Sequence, residues 1–265
     1  SNLNGIFLSD KEGKVYYVDK KKLEEWHYYG QSEIWKGRET ILSQIGHITP
    51  KRVSFYDGHK GKDGVLENTG ITIQINADDY GNYEENFKSG MAGTGENLSY
   101  GTYESRLKAP EQPGLLTGFF LYGEESNGDY YEMDIELLKE NQIWQLWLTV
   151  HNEQHEDYVL GGYMENYNPE VDYAEPGVIY QKKINLNELG IDPTNSYNNY
   201  KIIYDKDFIA FELNDSEVGR WNNSFKYDKF ALHASSFWAN WLQSQKNDYS
   251  WYEEVNFEWI RKKNE

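Results

Sequence analysis

The chain has 265 residues, enough for one large domain, and its 44 acidic and 26 basic residues give a formal net charge of -18. A protein this acidic is a poor partner for nucleic acid or an anionic membrane surface. No apolar stretch approaches the length of a membrane span, and the absence of cysteine excludes disulfides, thiolate metal sites and a cysteine nucleophile.

Most of the chain is predicted to form short strands separated by turns. In chain order the predicted strands are 71–75, 103–108, 118–122, 131–137, 143–150, 201–204, 208–213, 217–221, 230–237 and 252–260. Helical turns are predicted only at 20–29 and 186–189, and 152–180 is predicted as an extended loop over one face. The pattern predicts an all-β sandwich or barrel, with one domain over residues 1–265 and residues 1–30 as a peripheral extension.

The strand at 131–137 carries the strongest functional signal. Alternation along a strand puts Glu132, Asp134 and Glu136 on one face and three apolar residues on the other. Neighbouring carboxylates repel, and holding one of them protonated relieves the repulsion. A glycosidase needs this arrangement, because one carboxylate attacks while one carboxylic acid protonates the leaving oxygen.

The spacing of the two glutamates is compatible with one mechanism in particular. Alpha carbons of residues i and i+4 on a strand are roughly 13 Å apart. Long Glu side chains on a concave sheet can then bring their carboxyl groups to about 5–5.5 Å, the distance typical of retaining enzymes. The alternatives are a solvated acidic edge strand and a calcium site, although calcium usually takes Asn and carbonyl ligands from a loop.

The order of motifs around this strand resembles glycoside hydrolase family 16. Residues 100–108 resemble its "YGxYExRxK" strand, 114–122 the following "FFxY" strand, and 132–136 the "E-[ILM]-D-x-E" signature. Residues 200–221 resemble a later hairpin, 236–238 an "N-L-W" segment, and 254–261 the closing strand. The resemblance therefore covers about residues 50–261 in the family order.

The resemblance implies a β-jelly roll of two antiparallel sheets with a concave, sugar-binding cleft. It also implies retaining cleavage of a β-glycan, with Glu132 as nucleophile, Asp134 as its hydrogen-bonded helper and Glu136 as general acid/base. The uninterrupted E-x-D-x-E spacing is similar to that of lichenases and xyloglucan transglycosylases. Laminarinases usually carry one extra residue in this motif.

The resemblance also implies a set of sugar-binding residues. Glu104, Arg106, Phe120 and Tyr122 match glycone-side positions, Tyr130 stands where the family often has Trp, and Asn152, Trp238 and Trp241 match acceptor-side positions. Other readings of these residues stay open. Glu104 and Arg106 are equally compatible with an ion pair on the cleft wall, and Phe120 and Tyr122 with core packing.

Two further features are assigned no catalytic part. Trp144 and Trp147 fall on opposite faces of their strand and are assigned to the core or the back of the sheet. His151 and His155 have the spacing of a zinc pair, but that motif needs a helix with Glu in second position, where Asn152 stands. We therefore predict no catalytic metal.

Together these features predict a secreted or cell-surface, monomeric, endo-acting hydrolase of β-1,3-1,4- or β-1,3-glucan. We expect the polysaccharide to be its partner and expect neither nucleic acid nor membrane binding. We expect no required cofactor, with a structural calcium left open. The alternatives are a transglycosylase and a non-catalytic glycan-binding module.

Overall fold

The architecture comes from a computed structural model of the chain. The structure describes residues 98–152, 177–223, 226–239 and 251–264, with short pieces at 163–164, 242 and 246–247. Between residues 5 and 93 it describes strands alone, and among their side chains only that of Ile73. The side chains at positions 163, 164, 237, 238, 246, 247, 259 and 264 are also outside the described part.

The described part of the chain is built from strands joined by turns. These strands are β1 (Gly5–Ser9), β2 (Val15–Asp19), β3 (His27–Tyr29), β4 (Lys36–Arg38), β5 (Thr40–Leu42), β6 (Gly46–Ile48), β7 (Val53–Phe55), β8 (His59–Lys60), β9 (Leu66–Glu67), β10 (Ile71–Ala77), β11 (Gly81–Asn82), β12 (Phe87–Gly93), β13 (Gly101–Lys108), β14 (Leu115–Glu124), β15 (Tyr130–Glu140), β16 (Ile143–Asn152), β17 (Tyr163–Met164), β18 (Val178–Asn185), β19 (Asn198–Tyr204), β20 (Phe208–Leu213), β21 (Ser216–Asn222), β22 (Ala231–Trp238), β23 (Lys246–Asn247) and β24 (Trp251–Asn264).

Most of these strands belong to two antiparallel sheets. The front sheet has the order β12, β22, β14, β15, β16, β18. The back sheet has the order β7, β10, β24, β13, β19, β20, β21. Strand β12 pairs with β10 through one end and with β22 through the other, and so joins the two sheets along one edge.

The two sheets enclose one large hydrophobic core. On β15 the side chains of Met133, Ile135 and Leu137 are buried in it, and from the back sheet Tyr200 and Phe211 enter the same cluster. Burying a side chain of this size contributes about 1.5–3 kcal/mol. Three such residues at alternate positions fix which face of β15 points inward, and therefore fix the opposite face as the outward one.

Two tight hairpins set the register of the strands that they connect, one in each sheet. Asn141 and Gln142 connect β15 to β16, and Asn214 and Asp215 connect β20 to β21; all four have positive φ between 49° and 66°. Positive φ at both central residues is the geometry of a type I′ turn, whose twist matches that of the flanking strands. The first hairpin therefore aligns the acid-bearing strand with β16.

The all-β sandwich of two antiparallel sheets is confirmed, and each predicted strand coincides with part of a described one. The helical prediction for 20–29 is wrong at 27–29, because His27–Tyr29 pairs with β24, and residues 20–26 lie outside the described part. Residues 186–190 form hydrogen-bonded turns rather than a helix. The predicted loop at 152–180 ends early, since Val178–Asn185 is paired along β16; residues 153–162 and 165–176 lie outside the described part. Within the described ranges, no helix has the length and apolarity needed to cross a membrane.

Candidate active site

Three carboxylates lie on the outward face of β15, which we call the acid face of the front sheet. Glu132, Asp134 and Glu136 alternate with the core residues of the same strand. Asp134 is 5% exposed, whereas the two glutamates are half-buried. The local sequence thus produces the acid row directly, since the inward residues are apolar and the outward residues are acids.

Each acid has a cross-strand neighbour on either side. The backbone partners are Tyr122 and His151 for Glu132, Phe120 and Thr149 for Asp134, and Gly118 and Trp147 for Glu136. Residues directly opposite on paired strands share a face. The surroundings of the two glutamates therefore differ: Glu132 lies among polar aromatic groups, and Glu136 lies between a glycine and an indole.

His151 lies within ion-pair distance of the central acid. Its Nε2 lies 3.1 Å from Oδ2 of Asp134, so the imidazole fixes the orientation of that carboxylate when protonated. Glu132, Asp134 and His151 also offer three ligand atoms within 4.8 Å of one another, which makes them a group that could hold a metal ion. A metal on Glu132 would occupy the oxygens needed for nucleophilic attack.

Aromatic side chains line the acid face beside Glu132. The rings of Tyr122 and Tyr130 are stacked with their centroids 5.7 Å apart, and Tyr130 lies 6.2 Å from the ring of His151. On the other side, Phe120 lies 5.0 Å from His233 of β22. Flat rings with polar tips are suited to contacts with sugar rings and their hydroxyl groups.

The face beside Glu136 is apolar. Leu116, Leu138 and Ala239 form a buried cluster, and Trp147 packs against it. This cluster is separate from the main core between the sheets. Apolar surroundings favour the neutral form of a carboxyl group over the ionised form.

Gly118 lies opposite Glu136 in a place that admits no side chain. A Cβ there would lie 1.9 Å from the backbone oxygen of Ile135.

We expect Gly118→Ala to push β15 away from β14, with a loss of about 1–3 kcal/mol in the free energy of unfolding and a marked fall in turnover. Chemical denaturation and kinetics check this. Gly190→Ala, at a positive φ of 69° in open space, should lower stability but leave turnover unchanged.

Two of the predicted sugar-binding residues lie on the other sheet. Glu104 and Arg106 belong to β13, where Tyr103 and Leu107 point into the core, so both side chains are on the outer face of the back sheet. Arg106 donates from Nε to Glu258 at 2.7 Å. The structure therefore does not bring Glu104 and Arg106 to the acids.

The acceptor-side residues are placed as follows. Asn152 is 2% exposed, and its backbone pairs with Tyr131, a core residue rather than a residue of the acid face. Trp238 pairs through its backbone with Leu115, and its side chain lies outside the described part. Trp241 lies outside the described residues altogether.

Three residues near the acids escape prediction from the sequence. Trp147 lies on the acid face opposite Glu136, not in the core or on the back of the sheet, whereas Trp144 is in the core. His151 and His233 complete the group. The signal that could have located Trp147 and His151 is the two-residue turn after β15, because it fixes the register of β16 against the acid row. This turn carries no information on His233, which lies on β22 and pairs with β14.

The β-sandwich fold and the acid row agree with a known protein family. A family model, "Glycosyl hydrolases family 16", matches residues 54–261, which include the acid strand and both sheets. The chain therefore belongs to glycosyl hydrolase family 16.

Two similar proteins carry the names of enzymes for different glycans. The chain is 26% identical over 250 residues to a kappa-carrageenase from Pseudoalteromonas carrageenovora, covering 85% of this chain and 56% of the relative. It is 36% identical over 83 residues to the endo-1,3-1,4-beta-glycanase ExoK of Rhizobium meliloti, covering 31% of this chain and 28% of the relative. The chain thus spans little more than half the length of the first relative and less than a third of the second.

Solved structures share the fold at low sequence identity. The laminarinase catalytic domain of Thermotoga maritima superposes with a TM-score of 0.64 at 14% identity, covering 91% of this chain and 99% of that one. A beta-glucanase of Bacillus licheniformis gives a TM-score of 0.61 at 15% identity over the whole of both chains. A kappa-carrageenase in complex with an oligotetrasaccharide of kappa-carrageenan gives 0.63 at 15% identity, covering 91% and 93%.

Proposed function

We propose that this chain is a retaining, endo-acting β-glycan hydrolase that uses Glu132 as nucleophile and Glu136 as general acid/base. The observation that carries the proposal is the row of three carboxylates on the outward face of β15, with aromatic groups on one side and apolar groups on the other. Membership of glycosyl hydrolase family 16 supports the same reaction class.

The contrast between the two ends of the row supports this division of roles. Glu132 is next to His151 and Tyr122, whose polar groups favour an ionised carboxylate. Glu136 is opposite Gly118 and Trp147, which favour a neutral carboxylic acid. Two carboxyl groups whose surroundings push their proton affinities apart form the acid and nucleophile pair of a retaining glycosidase.

The reaction then has two displacement steps. Glu132 attacks the anomeric carbon while Glu136 gives its proton to the departing glycosidic oxygen, which leaves a covalent glycosyl-enzyme. Glu136, now a carboxylate, removes a proton from water, and the water oxygen replaces Glu132 at the anomeric carbon. Asp134, oriented by His151 at 3.1 Å, holds Glu132 in place between the steps.

The substrate class we propose is a neutral β-1,3-1,4- or β-1,3-glucan. The net charge of -18 and three acids on the binding face disfavour a polyanion. The similarity to a kappa-carrageenase over 85% of this chain supports a second candidate, a sulfated galactan. Either polymer is extracellular, so the proposal places the protein outside the cell.

The test is a panel of purified polysaccharides, with reducing ends counted after incubation. Lichenan or laminarin should give new reducing ends, and proton NMR should show the β-anomer before mutarotation. An α-anomer formed first would contradict retention. Chains longer than the substrate would identify a transglycosylase, and tight binding without new ends on any polymer would identify a glycan-binding module.

The remaining expectations, on oligomeric state, cofactor and calcium, are also open to direct measurement. We propose a monomer with no required cofactor, and a structural calcium stays a prediction. Dialysis against EGTA should leave hydrolysis unchanged, and a fall in melting temperature reversed by calcium would reveal the ion. Light scattering at working concentration measures the oligomeric state.

A further inference from the structure

The ligand atoms of Glu132, Asp134 and His151 lie close enough together to bind one metal ion. All three atoms are within 4.8 Å of one another, and Nε2 of His151 is 3.1 Å from Oδ2 of Asp134. Two ligands at neighbouring corners of a zinc ion, each about 2.0–2.2 Å from it, are about 3–3.5 Å apart. The imidazole nitrogen and the aspartate oxygen therefore already have the separation of two metal ligands.

Glu132 supplies the third ligand from the same strand as Asp134. Its side chain is half-buried on the outward face of β15, and rotation about its side-chain bonds moves the carboxylate without a change in the backbone. A carboxylate has two oxygens with about four lone-pair sites, so it can bind an ion and keep its other contacts. Water from the open face can complete the coordination, as it does in zinc sites with three protein ligands.

The charge and the ligand types select the kind of ion. The two carboxylates carry the charge that a divalent cation neutralises, and none of the residues directly opposite them on β14 and β16 is a lysine or an arginine. An imidazole ligand suits Zn²⁺ and related transition metals. Ca²⁺ takes about 6–8 oxygen ligands, and Mg²⁺ keeps most of its waters. The group therefore favours zinc over calcium or magnesium.

The second ring nitrogen of His151 indicates how firmly the ion is held. Nδ1 is buried and has no hydrogen-bond partner among the residues that the structure describes. A histidine in a tight metal site almost always donates its second N–H to a neighbouring group. A buried N–H without an acceptor costs free energy, and this cost weakens binding. We therefore expect an ion that exchanges with solution and not one that is permanently bound.

We propose that Glu132, Asp134 and His151 form an exchangeable site for a divalent transition-metal ion, and that the bound ion inhibits hydrolysis by occupying the carboxylate of Glu132. The binding part of the inference rests on the geometry of the three ligands. The inhibition rests in addition on the nucleophile role proposed for Glu132. The ion is then a reversible competitor of the sugar and not a cofactor.

Isothermal titration with zinc chloride measures the binding without any need for activity. His151→Gln keeps an N–H group for Asp134 but has no imidazole lone pair, and we expect it to lower the zinc affinity by at least about tenfold. Two controls remove similar groups from the same face. Glu124→Gln removes an exposed carboxylate and His233→Gln removes a second imidazole; both should leave the zinc affinity nearly unchanged.

Kinetics measure the inhibition. At a Zn²⁺ concentration ten times the dissociation constant, about one tenth of the sites stay free, so kcat/KM on β-glucan should fall about tenfold and recover with EDTA. Mg²⁺ at the same concentration should leave the rate unchanged. Unchanged zinc affinity in His151→Gln, or full hydrolysis by the zinc-loaded protein, overturns the inference. Circular dichroism verifies folding, and His151→Asn replaces His151→Gln if the latter does not fold.

Failure of this inference can be told apart from failure of the proposed function. If Glu132→Gln hydrolyses β-glucan like the unchanged protein, the proposed function fails, whereas a loss of zinc affinity in the same variant still supports the ligand set. An inactive Glu132→Gln, together with unchanged zinc affinity in His151→Gln, refutes this inference alone.

Discussion

Replacing Glu132 by glutamine should lower kcat on β-glucan by at least about 10⁴-fold. The amide has nearly the same shape as the carboxylate but cannot attack the anomeric carbon. The free energy of unfolding should stay the same or rise slightly, because one of three neighbouring carboxylates is removed. Initial rates from reducing-sugar release and a denaturant titration measure the two quantities on the same preparation.

The matched control for this prediction is Glu140→Gln. Glu140 ends β15 and pairs with Ile143 next to the hairpin, so its substitution removes the same charge from the same strand away from the row. We expect its kcat to stay within about twofold of the unchanged protein, as for substitutions away from reacting groups. Equal losses of kcat in the two variants would mean that the removal of a negative charge, and not the removal of a nucleophile, explains the effect.

The largest effect on stability should come from Glu104→Gln. Glu104 is 2% exposed, accepts a hydrogen bond from Nε of Arg261 at 3.0 Å, and lies 3.2 Å from Nζ of Lys201. The two cations have side chains only 19% and 15% exposed. Losing the shared carboxylate leaves both partly buried without their main counter-charge, and breaking such a pair costs about 3–5 kcal/mol.

The pKa of Lys201 shows how the network works. Burial of Lys201 opposes its charge, but the carboxylate of Glu104, aided by Asp215 and Glu212, outweighs this and raises the pKa above its ordinary value. A base with a raised folded-state pKa contributes stability below its unfolded pKa and loses it as pH rises through the folded one. The penalty of Glu104→Gln should therefore shrink in strongly alkaline solution, as measured by guanidinium unfolding at several pH values.

An exposed ion pair of the back sheet supplies the control for this second prediction. Glu217 and Arg220 have side chains 46% and 48% exposed, so Glu217→Gln should change the unfolding free energy by less than about 1 kcal/mol. In Glu104→Gln, activity below the melting transition should be retained. A stable variant with a raised KM would instead show that Glu104 contacts sugar.

The acid row could be predicted from the sequence because its information is local. Alternation within 131–137 separates Glu132 and Glu136 from the core residues without knowledge of any other strand, and the sandwich class follows from repeating the same pattern. The order of motifs along the chain, through its resemblance to glycoside hydrolase family 16, then gives each of the three acids its expected role. Residues whose positions depend only on their own strand were thus within reach of sequence reasoning.

Residues whose positions depend on long-range pairing were not. Alternation places Glu104 and Arg106 on one face of their strand, but only pairing with β24, some 150 residues later, shows that this face lies on the outside of the back sheet. Alternation correctly places Trp147 and Trp144 on opposite faces of β16. Which of the two faces the acids depends on the strand register, and this is set by the hairpin at Asn141. Sheet register, not residue type, was the missing information.

The most direct test of the account is to trap the glycosyl-enzyme. A 2-deoxy-2-fluoro β-glucosyl oligosaccharide with a good leaving group slows the second step, because fluorine destabilises the oxocarbenium-like transition state. Peptide mass spectrometry should then find the sugar attached to Glu132. Label on Glu136, or turnover with no covalent adduct, would contradict the proposed chemistry.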